Sequence, residues 1–292
     1  MLTALKSRPA KLIHIMPSLD RSGVCAVTSL GNDVFVARYD SQEIEVYDAM
    51  TFELPRHITV PGLGKWPIGI AVCASNQCVY LSDYEKNSIH RVYIEQSGRR
   101  AAKKWSVDSR PAGLSVNIAH NVVVTCSRAN KLQEYTMHGA LVREISPSGY
   151  WGGLINTSWH AIQLSTGDYV VSQNTPTGTF RIIGGVEIDG ENGKVKHTYQ
   201  PSERSGVGEM NGPSSLAVTS NEDILVADSK NNRILSINRS SGCLQELALS
   251  VDGGIREPRG LCLDESRSRL YVGELAGEHR VLVFDIVAVT LP

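Results

Sequence analysis

The chain reads as an all-β, six-bladed β-propeller, and three observations lead there. The dipeptide Ala217-Val218 is echoed at Ala26-Val27, Ala71-Val72, Ser115-Val116, Gln163-Leu164 and Cys262-Leu263, at successive spacings along the chain of 45, 44, 48, 54 and 45 residues. A second run follows each: VFVAR (Val34 to Arg38), VYLSD (Val79 to Asp83), VVVTCS (Val122 to Ser127), YVVSQ (Tyr169 to Gln173), ILVAD (Ile224 to Asp228) and LYVGE (Leu270 to Glu274). The period is that of a four-stranded propeller blade, about 40 to 50 residues. Between the runs lie Asn, Asp, Ser, Gly and Lys clusters that turn the chain.

Each unit is read in the same way. The stretch 211–242 holds three strand-like segments, Ser215 to Thr219, Ile224 to Ala227 and Arg233 to Asn238, which form an antiparallel meander. A meander of three or four strands without a covering helix cannot bury both faces alone, so it must pack against copies of itself. The blades fall at approximately 20–62, 63–108, 109–148, 149–202, 210–252 and 255–290, the last completed by 10–17. Outer strands are expected at Arg56 to Val60, Lys103 to Val107, Leu141 to Ser146, Val195 to Tyr199 and Leu244 to Ser250, more mixed and more charged as edge strands are. The segment Leu12 to Pro17 precedes the first repeat, and the sixth unit ends on Arg280 to Ile286. Pairing the first segment with the last sheet would close the ring and remove an open edge. The longest spacing contains Gly184, Gly185, Gly190 and Gly193, then 202–212, read as a lengthened hairpin and an exposed loop.

The motifs PSSLAV…ILVADSKNNRI in the fifth unit and EPRGLCLDESRSRLYVGE…HRVLVF in the sixth resemble NHL repeats, found in the C-terminal propeller of TRIM-NHL proteins and as stand-alone domains. The second unit, WPIGIAV…VYLSDYEKNSIHRVYI, also leans toward the YWTD type. Unit four departs most, with Trp159-His160-Ala161 in place of Pro-x-Gly and Gln173-Asn174 in place of Ala-Asp. The resemblance implies recognition of protein clients or RNA elements. In that family ubiquitin ligase chemistry comes from an N-terminal RING, and the cysteine spacing here is not that of a RING or B-box, so ligase chemistry would need a segment outside this sequence.

Composition narrows the function classes. The chain has 292 residues, 41% hydrophobic and 20% charged, with a formal net charge of −1, which removes the simple argument for a strongly basic nucleic-acid binder. Nothing points to DNA or to a membrane: no apolar stretch reaches spanning length, and the first fifteen residues lack the apolar run of a signal peptide. A cytoplasmic location is expected. The six cysteines, Cys25, Cys73, Cys78, Cys126, Cys243 and Cys262, show no metal-site spacing; Cys73 and Cys78 flank a hairpin and could bridge in an oxidising compartment.

Neighbouring antiparallel strands place the start of each inner strand and the end of each second strand at one rim. One ring there collects Gly23, Ile68, Ala112, His160, Ser214 and Arg259. The other collects Arg38, Asp83, Ser127, Gln173, Asp228 and Glu274, followed by Tyr39, Tyr84, Arg128, Asn174, Ser229 and Leu275. Calcium-dependent lactonases on similar propellers would want Glu or Asn in the first ring, where this chain has neither. The Asp of a VAD-like run is read as an acceptor for loop amides. No nucleophile elbow, HExxH helix or phosphate loop occurs. We therefore expect no catalytic residue, no cofactor and no metal, and a partner-binding face built from Arg38, Tyr39, Trp66, Tyr84, Arg110, Arg128, Trp159, His160, Asn174 and Arg259. A protein partner ranks ahead of single-stranded or structured RNA because acids interrupt the basic residues; the alternative class is a calcium-dependent lactonase-type hydrolase.

Overall fold

The computed structural model describes residues 10–18, 22–54, 56–95, 102–129, 131–146, 158–173, 185–199 and 207–286. Asn174 lies outside them. In chain order, β1 (Ala10–Met16) is followed by a first blade of β2 (Val24–Leu30), β3 (Asp33–Arg38), β4 (Glu43–Asp48) and β5 (Arg56–Thr59). The second blade is β6 (Pro67–Cys73), β7 (Cys78–Asp83), β8 (Ser88–Tyr93) and β9 (Lys103–Ser106); the third is β10 (Pro111–Val116), β11 (Val122–Cys126), β12 (Lys131–Tyr135) and β13 (Leu141–Ile145). The fourth is β14 (Ser158–Gln163), β15 (Tyr169–Gln173), β16 (Gly185–Ile188) and β17 (Val195–Tyr199). The fifth is β18 (Pro213–Val218), β19 (Ile224–Asp228), β20 (Arg233–Ile237) and β21 (Leu244–Glu246). Then come β22 (Leu249–Ser250), β23 (Pro258–Asp264), β24 (Arg269–Glu274) and β25 (Val281–Asp285). Blades one to five are antiparallel four-stranded meanders, and helix among the described residues is confined to two single 3-10 turns, Ser229–Asn231 and Glu265–Arg267.

The second-strand runs are buried along their whole length, as in β7 and β15, because each sheet is covered on both faces by its neighbours. Exposure returns only at outer strands such as β13. Six apolar cores lie between successive blades. Phe35 and Ile44 meet Leu81 and Ile70 between blades one and two, and Leu225 and Ala227 meet Leu270 and Phe284 between blades five and six. The sixth core, where Met16, Val24 and Val36 meet Tyr271 and Val283, closes the ring.

Closure uses the N-terminal strand as expected. β1 pairs antiparallel with β25, Leu12 opposite Phe284 and Met16 opposite Val281. One expectation is corrected here. The segment Leu244 to Ser250 is not one outer strand: its first half, β21, finishes blade five, and its second half, β22, crosses to pair parallel with β1, Ala10 opposite Leu249. Blade six thus has five strands in the order β22-β1-β25-β24-β23, and the edge that β1 would present is covered. In the fourth unit the turn of the β16–β17 hairpin is shaped by Asp189, which accepts from the amides of Glu191 and Asn192. Cys73 and Cys78 are direct cross-strand partners, both buried as free thiols.

Candidate functional site

Each inner strand breaks register with its second strand at the same place. The shift falls between Val24 and Ala26, Pro67 and Ile70, Pro111 and Leu114, Ser158 and His160, Pro213 and Leu216, and Pro258 and Gly260. A bulge re-aims the side chains beside it, here toward the channel mouth. It also brings inner strands into contact. A Cβ on Gly69 would lie 2.4 Å from the Ala112 carbonyl oxygen, and one on Gly113 would lie 2.4 Å from that of Trp159, so the Pro-x-Gly pattern marks inter-blade approach.

A belt of hydroxyls bridges the bulges, and sequence reading passed over it. Ser82 Oγ accepts from the Gly69 amide at 2.7 Å and donates to the Ala112 carbonyl at 2.6 Å. Thr125 Oγ1 reaches the Trp159 carbonyl at 3.0 Å, and Ser172 Oγ accepts from the His160 amide and donates to Ser214. In blade five Ser229 donates to the Pro258 carbonyl. The available signal was the hydroxyl in each of VYLSD, VVVTC and YVVSQ.

The belt also corrects the alignment of unit four. The amide of His160 does what that of Gly69 does, so His160 fills the glycine slot and Trp159 is the rim residue equivalent to Ile68, Ala112, Ser214 and Arg259. The imidazole occupies the space a glycine leaves: Nδ1 accepts from the Leu216 amide at 3.0 Å and Nε2 donates to the Leu114 carbonyl at 3.0 Å, joining blades three and five. Burial pushes its pKa down to about 4, so it is neutral at pH 7 and has no ring nitrogen free for a partner. In blade three Cys126, paired with Pro111, takes the place of Asp83; Ser127 lies one residue beyond.

The second-strand ends serve the framework. Asp83 is fully buried and accepts from the Gly64 amide at 2.8 Å and the Lys86 amide at 3.0 Å. Asp228 accepts from the Asn211 amide at 2.6 Å, Asn231 Nδ2 at 2.8 Å and Arg233 Nε at 2.7 Å. Glu274 receives Arg280 at 2.8 Å. Arg38, expected on the binding face, is 1% exposed: it pairs with Glu45 at 2.8 Å and donates to the carbonyls of Ser22 and His279, tying blade one to blade six. Among the described residues, no group of three or more His, Cys, Asp or Glu side chains converges as a metal site would require.

What remains open on the rim is aromatic and cationic. Tyr39 and Trp66 are 38% and 41% exposed and meet edge to face at 5.5 Å. Trp66 stacks on Tyr84 at 6.1 Å with 18° between planes, and the Arg110 guanidinium lies 5.1 Å over the Tyr84 ring. Although burial alone would raise it, the Tyr84 phenol sits below its ordinary pKa because Arg110 and Ser127 hydrogen-bond to it and the charges of Arg110 and Arg128 act on it. Arg128 is exposed beside this row. Across the mouth, Arg259 of blade six lies 4.3 Å over the ring of Trp159 in blade four. A cavity of about 550 Å³ opens between blades six, one and two, lined by Tyr39, Trp66, Ile68, Arg259, Leu275 and His279. Below it a channel cavity of about 280 Å³ runs between the inner strands.

The fold is that of a six-bladed β-propeller, and within it residues 210–235 match the NHL repeat. Among solved structures it is similar to streptogramin B lyase (12% identity, TM-score 0.67, 96% of this chain and 99% of that one). It is also similar to the WD40 repeats of RRP9 (13%, 0.65, 95% and 98%) and to Kuenenia stuttgartiensis hydrazine synthase (20%, 0.63, 90% and 77%). At these identities the likeness is one of fold. No curated protein matches the chain by sequence. No helix among the described residues is long and apolar enough to cross a membrane.

Proposed function

We propose that the chain is a non-catalytic recognition module that binds a protein partner on the rim carrying Tyr39, Trp66, Tyr84, Arg110, Arg128, Trp159 and Arg259. The observation that carries this reading is the continuous row Tyr39–Trp66–Tyr84–Arg110, whose rings and guanidinium remain partly open to solvent while the acids at the second-strand ends, Asp83, Asp228 and Glu274, are buried in the framework. Trp, Tyr and Arg dominate the energetics of protein interfaces, since each offers a large rigid area with one polar edge. The carboxylates that a calcium-dependent hydrolase would use are engaged by backbone amides and arginines, which favours recognition over hydrolysis. Stacked rings beside Arg110 and Arg128 also suit single-stranded RNA. Asp40, Glu85 and Glu257 interleave with these cations, and a phosphate backbone would meet them, so protein ranks first.

Two measurements separate the readings. Photo-crosslinking from position 85, exposed beside the row, in a soluble extract should capture a small set of proteins, and Arg110→Glu with Arg128→Glu should abolish the capture. Retention of a random single-stranded RNA pool with a steep salt dependence, lost in the same double variant, would replace protein with RNA.

A further inference from the structure

We infer that the cavity beneath Tyr39 and Trp66 receives a carboxylate carried next to an apolar side chain of a protein segment, with Arg259 as its anchor. This rests on the reading of the rim as a protein-binding face and specifies what the partner must present.

Arg259 differs from the ion-paired arginines of the blades, and from Arg91 and Arg269, which lie over rings but donate to the Met137 and Ala49 carbonyls. Arg38, Arg143, Arg233, Arg239 and Arg280 each have a carboxylate oxygen within 2.9 Å. Arg259 has a ring on one face, Trp159 at 4.3 Å, and among the described residues its guanidinium makes no ion pair and donates no hydrogen bond. Its backbone is fixed, because the Pro258 carbonyl before it accepts from Ser229 and the Ser214 hydroxyl. The result is a planar fork held against an indole at the mouth of a cavity, half-buried and with its edge open to that cavity. A planar anion entering the cavity can take two of the guanidinium N–H donors in parallel, the geometry of a charge-assisted bidentate pair. Burial already works against the charge of Arg259, and Glu257, whose negative charge favours it, is held by Lys230 at 3.1 Å.

The other walls define the rest of the ligand. Tyr39, Trp66, Ile68 and Leu275 make an apolar and aromatic rim, and about 550 Å³ is room for a side chain with its flanking backbone. The acid that lines the cavity, Asp40, is 3.4 Å from Lys65. One anchored cation among paired acids suits a single carboxylate better than a run of phosphates, which needs cations along its length.

The test uses the whole chain and calorimetric titration with N-acetyl-phenylalanine and its C-terminal amide, then with a capped hexapeptide containing Asp-Phe and its Asn-Phe counterpart. The acid of each pair should bind at least about tenfold more tightly than its neutral partner, the loss expected when a charge-assisted bidentate contact is removed. Arg259→Gln should erase that preference, Arg259→Lys should keep part of it, and Trp66→Ala should weaken acid and neutral ligand alike. Equal binding of acid and neutral ligand by the unsubstituted chain, or an unchanged preference in Arg259→Gln, overturns the inference. Binding of the free amino-acid derivative without the peptide overturns the protein source, as does displacement of the acid by an octauridylate at physiological salt. Loss of the acid preference with crosslinking from position 85 intact removes this site and leaves the rim reading standing. An intact preference for the free acid with no crosslinked protein removes that reading and, with it, the protein segment.

Discussion

Arg38 and Arg259 share a rim and belong to opposite kinds of site. Arg38 ends a second strand and is surrounded: Glu45 takes its Nε donor, the carbonyls of Ser22 and His279 take Nη1, and blades one and six are joined by it. Arg259 begins an inner strand, just where the bulge turns side chains toward the channel, and rests on Trp159 with its edge open. The same division runs round the ring. Asp83, Asp228 and Glu274 at second-strand ends are fully buried, while Tyr39 and Trp66 in the adjoining loops are not. Position relative to the bulge, more than residue type, separates framework from surface in this propeller.

The most severe way to break that contrast is to open the ring on which both kinds of site stand. Deleting residues 1–17 removes β1, exposes the backbone edge of β25 and takes Met16 out of the sixth core. The expected outcome is loss of a cooperative thermal transition in circular dichroism, because the stability of a typical domain is only about 5–15 kcal/mol. A sigmoidal transition at the parental temperature would show that closure does not depend on β1.

Within an intact ring, second-strand ends should be costly to alter. Asp228→Ala leaves Arg233, Asn231 and the Asn211 amide without their acceptor. Removing one partner of a buried pair costs about 3–5 kcal/mol, read as a lowered midpoint in urea unfolding. A change below about 1 kcal/mol would place Asp228 with the surface group instead.

His160 gives an intermediate effect with a sign. Its pKa is lowered from 6.5 to about 4 by burial, so between those values the unfolded chain binds the proton and the folded chain does not. Stability contributed by the neutral ring is complete above about pH 6.5 and declines as pH falls toward 4, by at most about 1.4 kcal/mol per pH unit. Urea midpoints measured at pH 7 and pH 5 should differ less in His160→Asn than in the parent chain; equal differences would sink the assignment.

The smallest stability effects belong to the open side. Trp66→Ala and Arg259→Gln remove groups with few structural partners and should shift stability by no more than about 1 kcal/mol. They should nonetheless reduce capture of the partner, and a variant that unfolds early would move its residue into the framework.

Much of the architecture was legible because each blade repeats the same constraint. Six pairs of apolar runs must pack against neighbours, and an unpaired first segment has one free edge to join, so blade number and closure follow from spacing. The split of Leu244 to Ser250 was not legible, since a β-rich run does not say which sheet edge it meets. Nor was the loss of Arg38 from the binding face. Its sequence neighbours resemble those of an exposed Arg, and only Glu45 and the carbonyls of Ser22 and His279, brought together by two blades, bury it. His160 was misplaced by one position because Ile162-Gln163, not Gln163-Leu164, holds the register of Ala71-Val72, and Gln163 carries no apolar signal to mark it.

By itself the order of residues determined a ring of six β-meanders, the seam that closes it, and the set of rings and cations offered to one rim, because periodicity and turn chemistry are local properties. Which of those side chains stay open was decided only by tertiary packing. A guanidinium or imidazole is free or engaged according to the carbonyls and carboxylates that other blades bring within about 3 Å, and those come from far along the chain.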